Sequence, residues 1–323
     1  MTATKNEYVA NLPMILDEVE VTSVERVSPS FVRIELSGAG LAECGTSGPL
    51  HDQRMKIVFP NAAGALPSFA EMDDSWWETW TQIPEEERGS MRTYTIRDLV
   101  GSGAETRLVV DIVVHEPGEH SGPGNDWALR AQPGDRLVIL APRLGHEFGG
   151  IEWSPGDATR LLLVGDETAV PAIRGILRDL PADAVGAAFL EVPDAGDIQR
   201  DLVSPDGVEV TWLPRGDAPR GASLHAAVIA WLTGTAEPAP QLSDDEVETD
   251  LWETPVYSSS GEEVAEATHV PIDDAPYAGL YAWIAGESKV VTGLRRRLVN
   301  ELGIDRAQVA FMGYWREGVA MRS

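Results

Sequence analysis

Two regimes of hydrophobic patterning share this chain, and they meet near residue 155. From residue 15 to about residue 140, short runs alternate apolar and polar residues or are rich in β-branched ones: ILDEVEVTSVERV, FVRIELSG, RMKIVF, MRTYTIRD, RLVVDIVVH and RLVIL. Period-two alternation marks a half-buried strand. Six such runs with turn residues between them predict an antiparallel six-stranded β-barrel. Two helices are expected to interrupt it and cover its ends. One lies around 76–80; the other opens at Asn125-Asp126-Trp127, where Asn or Asp caps it, and ends at Pro133-Gly134-Asp135. After Pro155-Gly156-Asp157 the pattern changes. Strands of continuous Leu, Val and Ile alternate with helical segments: RLLLVG and VPAIRGILRDL, AAFLEV and a DIQRDL segment, VEVTWL, LHAAVIAWL, YAWIAG, VTGLRRRLVNELG and VAFMGYW. Such strands are buried on both faces, which predicts a parallel sheet flanked by helices. The expected fold is thus α/β with two domains, 1–153 and 158–323.

The 323 residues are 43% apolar, enough to fill a core in each half. No run approaches the ~18 to 20 apolar residues of a membrane-spanning helix, and the first residues are polar, so neither secretion nor membrane insertion is expected. Cys44 is the only cysteine, which excludes an internal disulfide framework, a cysteine-based zinc site and a multi-thiolate iron–sulfur cluster. That pattern fits a reducing cytoplasm. The charge is 25 basic against 52 acidic residues, or −27, a field that repels nucleic acid and anionic membranes. Residues 237–274 alone hold twelve Asp or Glu and no Lys or Arg, and read as a solvated surface insertion.

Three segments carry candidate chemistry. Arg92-Thr93-Tyr94-Thr95-Ile96-Arg97 falls on one expected strand, with Arg92, Tyr94 and Ile96 toward one side and Thr93, Thr95 and Arg97 toward the other. An aromatic face, a hydroxyl donor and cations are what a flavin nucleotide requires; the same residues also make an ordinary strand with a surface arginine pair. Val113-Val114-His115 leads to Gly122-Pro123-Gly124-Asn125-Asp126-Trp127, a glycine-rich turn entering a helix, whose backbone N–H groups can face a pyrophosphate. His115 reads either as a cofactor contact or as a histidine satisfying local backbone. Gly165-Asp166-Glu167-Thr168 follows the first strand of the second half and leads into a helix with Pro171 in its first turn, the usual ligand position in open α/β sheets. It lacks GxGxxG, its two carboxylates would repel a pyrophosphate, and Asp166 or Thr168 serves equally well as a helix cap.

The order of these pieces is that of the ferredoxin-reductase-like flavoproteins. DQRMKIVFP at 52–60, MRTYTIR at 91–97, the Val-Val-His to Gly-Pro and Trp-Ala segment at 113–128, GDETAVPAI at 165–173, and AWIAGES, LRRRL and FMGYWREG near the C-terminus resemble the siderophore-interacting protein family of FAD-binding ferric-siderophore reductases. The resemblance runs over nearly the whole chain. It implies that 1–153 is an FAD-binding β-barrel domain and that 158–323 is an NAD(P)-binding α/β domain carrying the acidic insertion at about 237–274. It implies further that Tyr94 lies against the isoalloxazine, Thr95 approaches its N5 edge, and Arg92 and Arg97 meet ribityl or phosphate oxygens. Val113, His115, Gly122, Gly124, Asn125 and Trp127 would hold the rest of FAD. The chain departs from the family where Gly124-Asn125-Asp126 replaces small residues and a hydroxyl, which leaves the pyrophosphate to backbone N–H groups.

For the electron donor the resemblance points to Gly165, Asp166, Glu167 and Thr168, with Gly286, Glu287, Gly313, Tyr314 and Trp315 lining the same cleft. Arg215, just after VEVTWL, either meets an adenosine 2′-phosphate, favouring NADPH, or is a solvated loop residue. Lys56, Arg130 and Arg316 are the candidate cations for an anionic ferric siderophore. The implied reaction carries electrons from NADPH or NADH through FAD to siderophore-bound Fe(III), releasing Fe(II), with no protein ligand to iron and no catalytic acid–base pair. The expected actor is a cytoplasmic monomer that binds neither nucleic acid nor membrane. Two rivals stand beside it: a general NAD(P)H- or ferredoxin-dependent flavin reductase serving a redox-protein partner, and a non-catalytic siderophore- or flavin-binding protein.

Overall fold

The computed structural model describes residues 12–69, 72, 75–115, 122–243, 246–247, 251–255, 257–258 and 276–319. The chain divides into two compact units, which meet between Ile151 and Glu152.

The first unit is built on one antiparallel sheet of seven strands: β1 (Met14–Ser28), β2 (Phe31–Ser37), β3 (Arg54–Phe59), β4 (Ser90–Thr95), β5 (Asp98–Val100), β6 (Arg107–Val113) and β7 (Arg136–Pro142). Their order is β4-β3-β7-β1-β2-β6-β5. The count differs from six because the MRTYTIRD run changes partner in mid-course. β4 pairs with β3, β5 pairs with β6, and at the switch Ile96 N–H donates to Gln53 O while Arg97 N–H donates to Val109 O. The two edges of the ladder are therefore consecutive pieces of one segment, and the sheet curls to bring them there. Register shifts in β1 at Val21/Ser23 and Arg26/Ser28 supply local bending of the kind bulges produce.

Inside the curl sit Ile15, Val19, Ile34, Leu36, Met55, Ile57, Phe59, Val110, Ile112, Leu137 and Ile139. The alternate residues Leu16, Val58, Met91, Val138 and Leu140 are also buried, on the outer face, against Phe69, Met72 and the fully buried Trp80. Trp80 belongs to α1 (Trp76–Gln82), which with α2 (Glu85–Arg88) lies between β3 and β4. The helix expected at a barrel end thus covers a flank, because RMKIVF ends in apolar residues on both faces. α3 (Pro123–Ala128) begins two residues before the expected cap: Pro123 fills the first turn, where its missing N–H costs nothing, and Gly122 becomes the N-cap.

The second unit is an α/β layer whose sheet is mixed rather than parallel. β8 (Arg160–Gly165), β9 (Gly186–Val192), β10 (Val208–Pro214), β13 (Leu280–Glu287) and β14 (Val309–Trp315) run parallel in the order β10-β9-β8-β13-β14. β11 (Trp252–Thr254) then adds to β14 antiparallel, and β12 (Tyr257–Ser258) pairs with β11. Trp252–Thr254 lies in the acidic stretch read as a solvated insertion. It joins the sheet because the LRRRL run neutralises it: Glu253, fully buried, accepts from Arg295 at 2.6 and 3.1 Å and faces Arg306 at 3.6 Å, while Arg296 and Arg297 pair with Glu246 and Glu237. The rest of that stretch lies largely outside the described residues. Among the described residues three helices flank the sheet: α4 (Val170–Asp179), α5 (Ala222–Thr233) and α6 (Ser288–Arg295), the last continuing as a π turn through Glu301. The DIQRDL segment makes no helix; only the short 3₁₀ turn Ala195–Asp197 forms there. Among the described residues no helix is long and apolar enough to cross a membrane.

Candidate functional site

In the first unit, strand alternation sorts the RxYT residues onto two faces. Arg92 and Tyr94 stand opposite Ile57 and Met55 of β3, and Tyr94 packs on the inner core. Its ring meets Phe59 edge-on at 6.0 Å, and Phe59 meets Trp127 of α3 at 5.4 Å. α3 approaches so closely that a Cβ at Gly124 would fall on the Tyr94 hydroxyl and lie 3.3 Å from its Cζ. Burial pushes the Tyr94 phenol up, partly offset by Arg92, and lowers the Arg92 pKa. The strand-to-helix passage is tied by Asn125, whose Oδ1 accepts the His115 backbone N–H at 2.7 Å. The N-cap of α3 is Gly122, which offers no side chain to its first N–H groups.

Thr93 and Thr95 occupy the opposite face. Lys56 Nζ donates to Thr93 Oγ1 at 3.3 Å across the ladder; its pKa is lowered by partial desolvation and by Arg54. Arg97 is engaged elsewhere, 3.6 Å from the buried Asp111, which also takes Arg33 at 2.7 and 2.9 Å. Val113 ends β6 half-buried, and Gly122 and Arg130 are exposed at the two ends of the α3 segment. The structure therefore gathers Tyr94, Gly124 and Trp127 into one cradle beside Arg92, and places Lys56, Thr95 and Arg97 off it. Phe59, the ring between Tyr94 and Trp127, was missed by sequence reasoning; its place in a strand ending in VFP makes it look like ordinary core.

In the second unit the strand ends converge on Asp166. Its Oδ1 accepts from Thr168 N–H at 2.9 Å and Thr168 Oγ1 at 2.6 Å; its Oδ2 accepts from Glu287 N–H at 2.7 Å and Trp315 Nε1 at 2.9 Å. One carboxylate thus ties β8, β13 and β14 together. Gly286, at φ 147°, must be glycine, since a Cβ there would lie 2.7 Å from Asp166 Oδ2. Burial, reinforced by Glu167, pushes the Asp166 carboxyl up to about 6 against those hydrogen bonds.

Glu167, also buried, accepts from Arg220 at 2.8 Å and Arg215 at 3.4 Å; Arg215 reaches Glu191 at 3.1 Å. Burial opposes the Arg215 charge, but Glu167 and Glu191 outweigh it and its pKa rises. Glu287 caps α6 by accepting from Lys289 and Val290 N–H at 2.7 and 3.1 Å. Gly165 packs directly beneath α4, its hypothetical Cβ lying 3.0 Å from Ile173. Of the residues expected here, Gly165, Asp166, Glu167, Thr168, Arg215, Gly286, Glu287 and Trp315 are brought together. Tyr314 turns to the other face, stacked on Trp252 at 5.8 Å, and Arg316 follows β14 in a bridge to Val319. Glu191, Arg220 and Ser288, which bonds Trp315 O at 2.9 Å, were not expected. An acid near the end of AAFLEV was the one visible signal for Glu191.

Comparison with known proteins matches both halves. The family described as siderophore-interacting protein matches residues 158–318, and the siderophore-interacting FAD-binding domain matches 20–146. An uncharacterised protein of Mycobacterium tuberculosis is 31% identical, covering 94% of this chain and 91% of its own length. Ferric vibriobactin reductase ViuB of Vibrio cholerae is 29% identical, with 97% and 93% covered. A siderophore utilization protein from T. fusca superposes with a TM-score of 0.64 at 28% identity, covering 95% of each chain. The fold is also that of the ferredoxin reductase in carbazole 1,9a-dioxygenase, at a TM-score of 0.53 and 17% identity, covering 94% of this chain and 71% of the other.

Proposed function

The chain belongs to the siderophore-interacting protein family, and we propose that it is a flavin-dependent ferric-siderophore reductase that draws electrons from NAD(P)H. The observation that carries the reading is the Tyr94–Gly124–Trp127 cradle, inside the segment that matches the family's FAD-binding domain. It fits a flavin in kind: a half-buried aromatic ring, a neighbouring guanidinium and an uncapped helix start reached through Gly122 and Pro123. Bound FAD would accept two electrons at once from the nucleotide and release them singly, so that NAD(P)H and two Fe(III) give NAD(P)⁺, H⁺ and two Fe(II).

The chain's own residues supply position and charge. Tyr94 would support the isoalloxazine, Arg92 would meet ribityl or phosphate oxygens, and the backbone at Gly122 to Asn125 would face the pyrophosphate. Asn125 serves indirectly, because its side-chain oxygen is spent on the His115 N–H. Thr95 and Arg97 remain proposed flavin contacts on the opposite side of the strand. Lys56, Arg130 and Arg316 are the proposed cations for the siderophore, a local attraction needed against a net charge of −27. We read the chain as cytoplasmic and monomeric, with domains at 1–153 and 158–323; its single thiol, Cys44, is buried and pushed up to about 12.

The test is a visible spectrum followed by anaerobic addition of NADH or NADPH with a ferric siderophore and an Fe(II) trap. Bound FAD that bleaches and then recovers as trapped Fe(II) appears supports the proposal. A protein that takes up no flavin refutes it.

A further inference from the structure

At the carboxyl end of the second unit's sheet, cations and carboxylates have already met. In a doubly wound sheet, the adenosine ribose of a dinucleotide lies near the end of the strand beside the first one. An acid there receives the 2′-hydroxyl of NADH, and an arginine nearby receives the 2′-phosphate of NADPH. Here that neighbouring strand is β9, which ends at Val192. Arg215 is fixed beside it, its backbone N–H donating to Val192 O at 2.8 Å. Arg215 is therefore the arginine in position for a 2′-phosphate, yet its Nη1 is already engaged. The side chain is only 11% exposed, with Nη1 held 3.1 Å from Glu191 and 3.4 Å from Glu167. Arg220, the next cation, is held by Glu167 at 2.8 Å and lies over the Trp315 ring at 4.6 Å. Glu191 is locked in turn, its two oxygens accepting the Gly221 N–H at 2.9 and 3.1 Å.

We infer that Glu167 and Glu191 are specificity-determining residues: by holding Arg215 and Arg220 they make NADH, not NADPH, the preferred donor. The inference rests on the nucleotide-dependent reductase reading and deepens it. A 2′-phosphate adds close to two negative charges at neutral pH. To receive it, an arginine must share or give up its Nη1 hold on a buried carboxylate, and leaving that carboxylate without its counter-charge is the costly way to break such a pair. If the arginines stay, the phosphate meets them only where Glu167 and Glu191 already offset their charge. The 2′-hydroxyl of NADH carries no charge and faces neither penalty. The arrangement also accounts for GDET in place of GxGxxG, since this strand end is packed with acids rather than opened by glycine.

The experiment pairs calorimetric titration of the flavin-loaded protein with 5′-AMP and 2′,5′-ADP and steady-state kcat/KM for NADH and NADPH on a ferric chelate. The expected result is that 2′,5′-ADP binds no tighter than 5′-AMP and NADH is preferred by about tenfold or more, the worth of one charge-assisted hydrogen bond. In Glu167→Gln, which keeps side-chain volume and relaxes the hold on both arginines, the NADPH-to-NADH ratio and the 2′,5′-ADP-to-5′-AMP ratio both rise, by about tenfold. Tighter binding of 2′,5′-ADP by the wild-type protein overturns the inference whether or not the variant folds. So do ratios that stay put in a variant melting as cooperatively as the parent. Flavin uptake with no binding of either fragment overturns it too and leaves the flavin assignment standing, whereas loss of the reductase reading itself shows as absence of flavin.

Discussion

Gly124→Ala is the smallest change that tests the flavin cradle. The added methyl would collide with the Tyr94 hydroxyl and come within 3.3 Å of Tyr94 Cζ and 3.4 Å of Phe59 Cε2. To restore a carbon contact of ~3.5 Å the ring must retreat by roughly 1.5 Å, and Phe59 and Trp127 are packed against it. Two terms then compete in the folded protein. Alanine in a helix gains about 1 kcal/mol over glycine, and overpacking costs about 1–3 kcal/mol. The net is a loss of about 0–2 kcal/mol, or a fall in apo-protein Tm of up to about 8 °C for a unit of this size. Flavin affinity has no compensating gain. If Tyr94 stacks on the isoalloxazine, displacing it forfeits about 0.5–1.5 kcal/mol, so the Kd for FAD rises about two- to tenfold. Fluorescence titration of the apo-protein with FAD measures this, and differential scanning fluorimetry of the same sample measures the fold. A lower Tm with an unchanged Kd removes Tyr94 from the flavin site. An unchanged Tm and Kd together mean that the ring never held the position the cradle requires.

Three further outcomes are expected. Asp166 holds its proton to about pH 6 when folded against 3.8 unfolded, so its stabilising contribution is complete below about pH 4 and is lost as pH rises through 6. Urea unfolding should show the wild-type advantage over Asp166→Asn shrinking by about 2 kcal/mol from pH 4 to pH 7; a constant gap would mean an unshifted carboxyl. Glu253→Gln breaks a buried pairing with Arg295 and Arg306 and should cost about 3–5 kcal/mol in the same measurement, with a loss under 1 kcal/mol contradicting it. Lys56→Ala and Arg130→Ala should each raise KM for an anionic ferric chelate about two- to fivefold, the range of screened surface charges, without altering the flavin spectrum. Unchanged constants would return both residues to the solvated surface.

The strands were legible because each side chain's face follows from period two, and the RLLLVG, AAFLEV and YAWIAG runs could only be buried on both sides. What stayed hidden were choices of partner, which periodicity does not encode. Nothing in MRTYTIRD announces that its first half joins β3 and its second half β6, so one strand was counted where two exist. WET looked solvated because its neighbours are acidic, and only the arginines of LRRRL, some forty residues away, make Glu253 a buried group. The same blindness governs the site. Gly165 through Thr168 were identified by their place after the first strand, but the carboxylates there were weighed against a phosphate rather than against each other's counter-ions. Arg215 was offered two readings, phosphate ligand or solvated loop, and the structure shows a third state, a cation enclosed by Glu167 and Glu191. A charge read from sequence carries its sign; whether it faces a ligand depends on which opposite charge the fold brings to it first. In this sheet the opposite charges come from two other strand ends, β8 and β9, and that is why the setting of Arg215 follows from the tertiary pairing rather than from the motif.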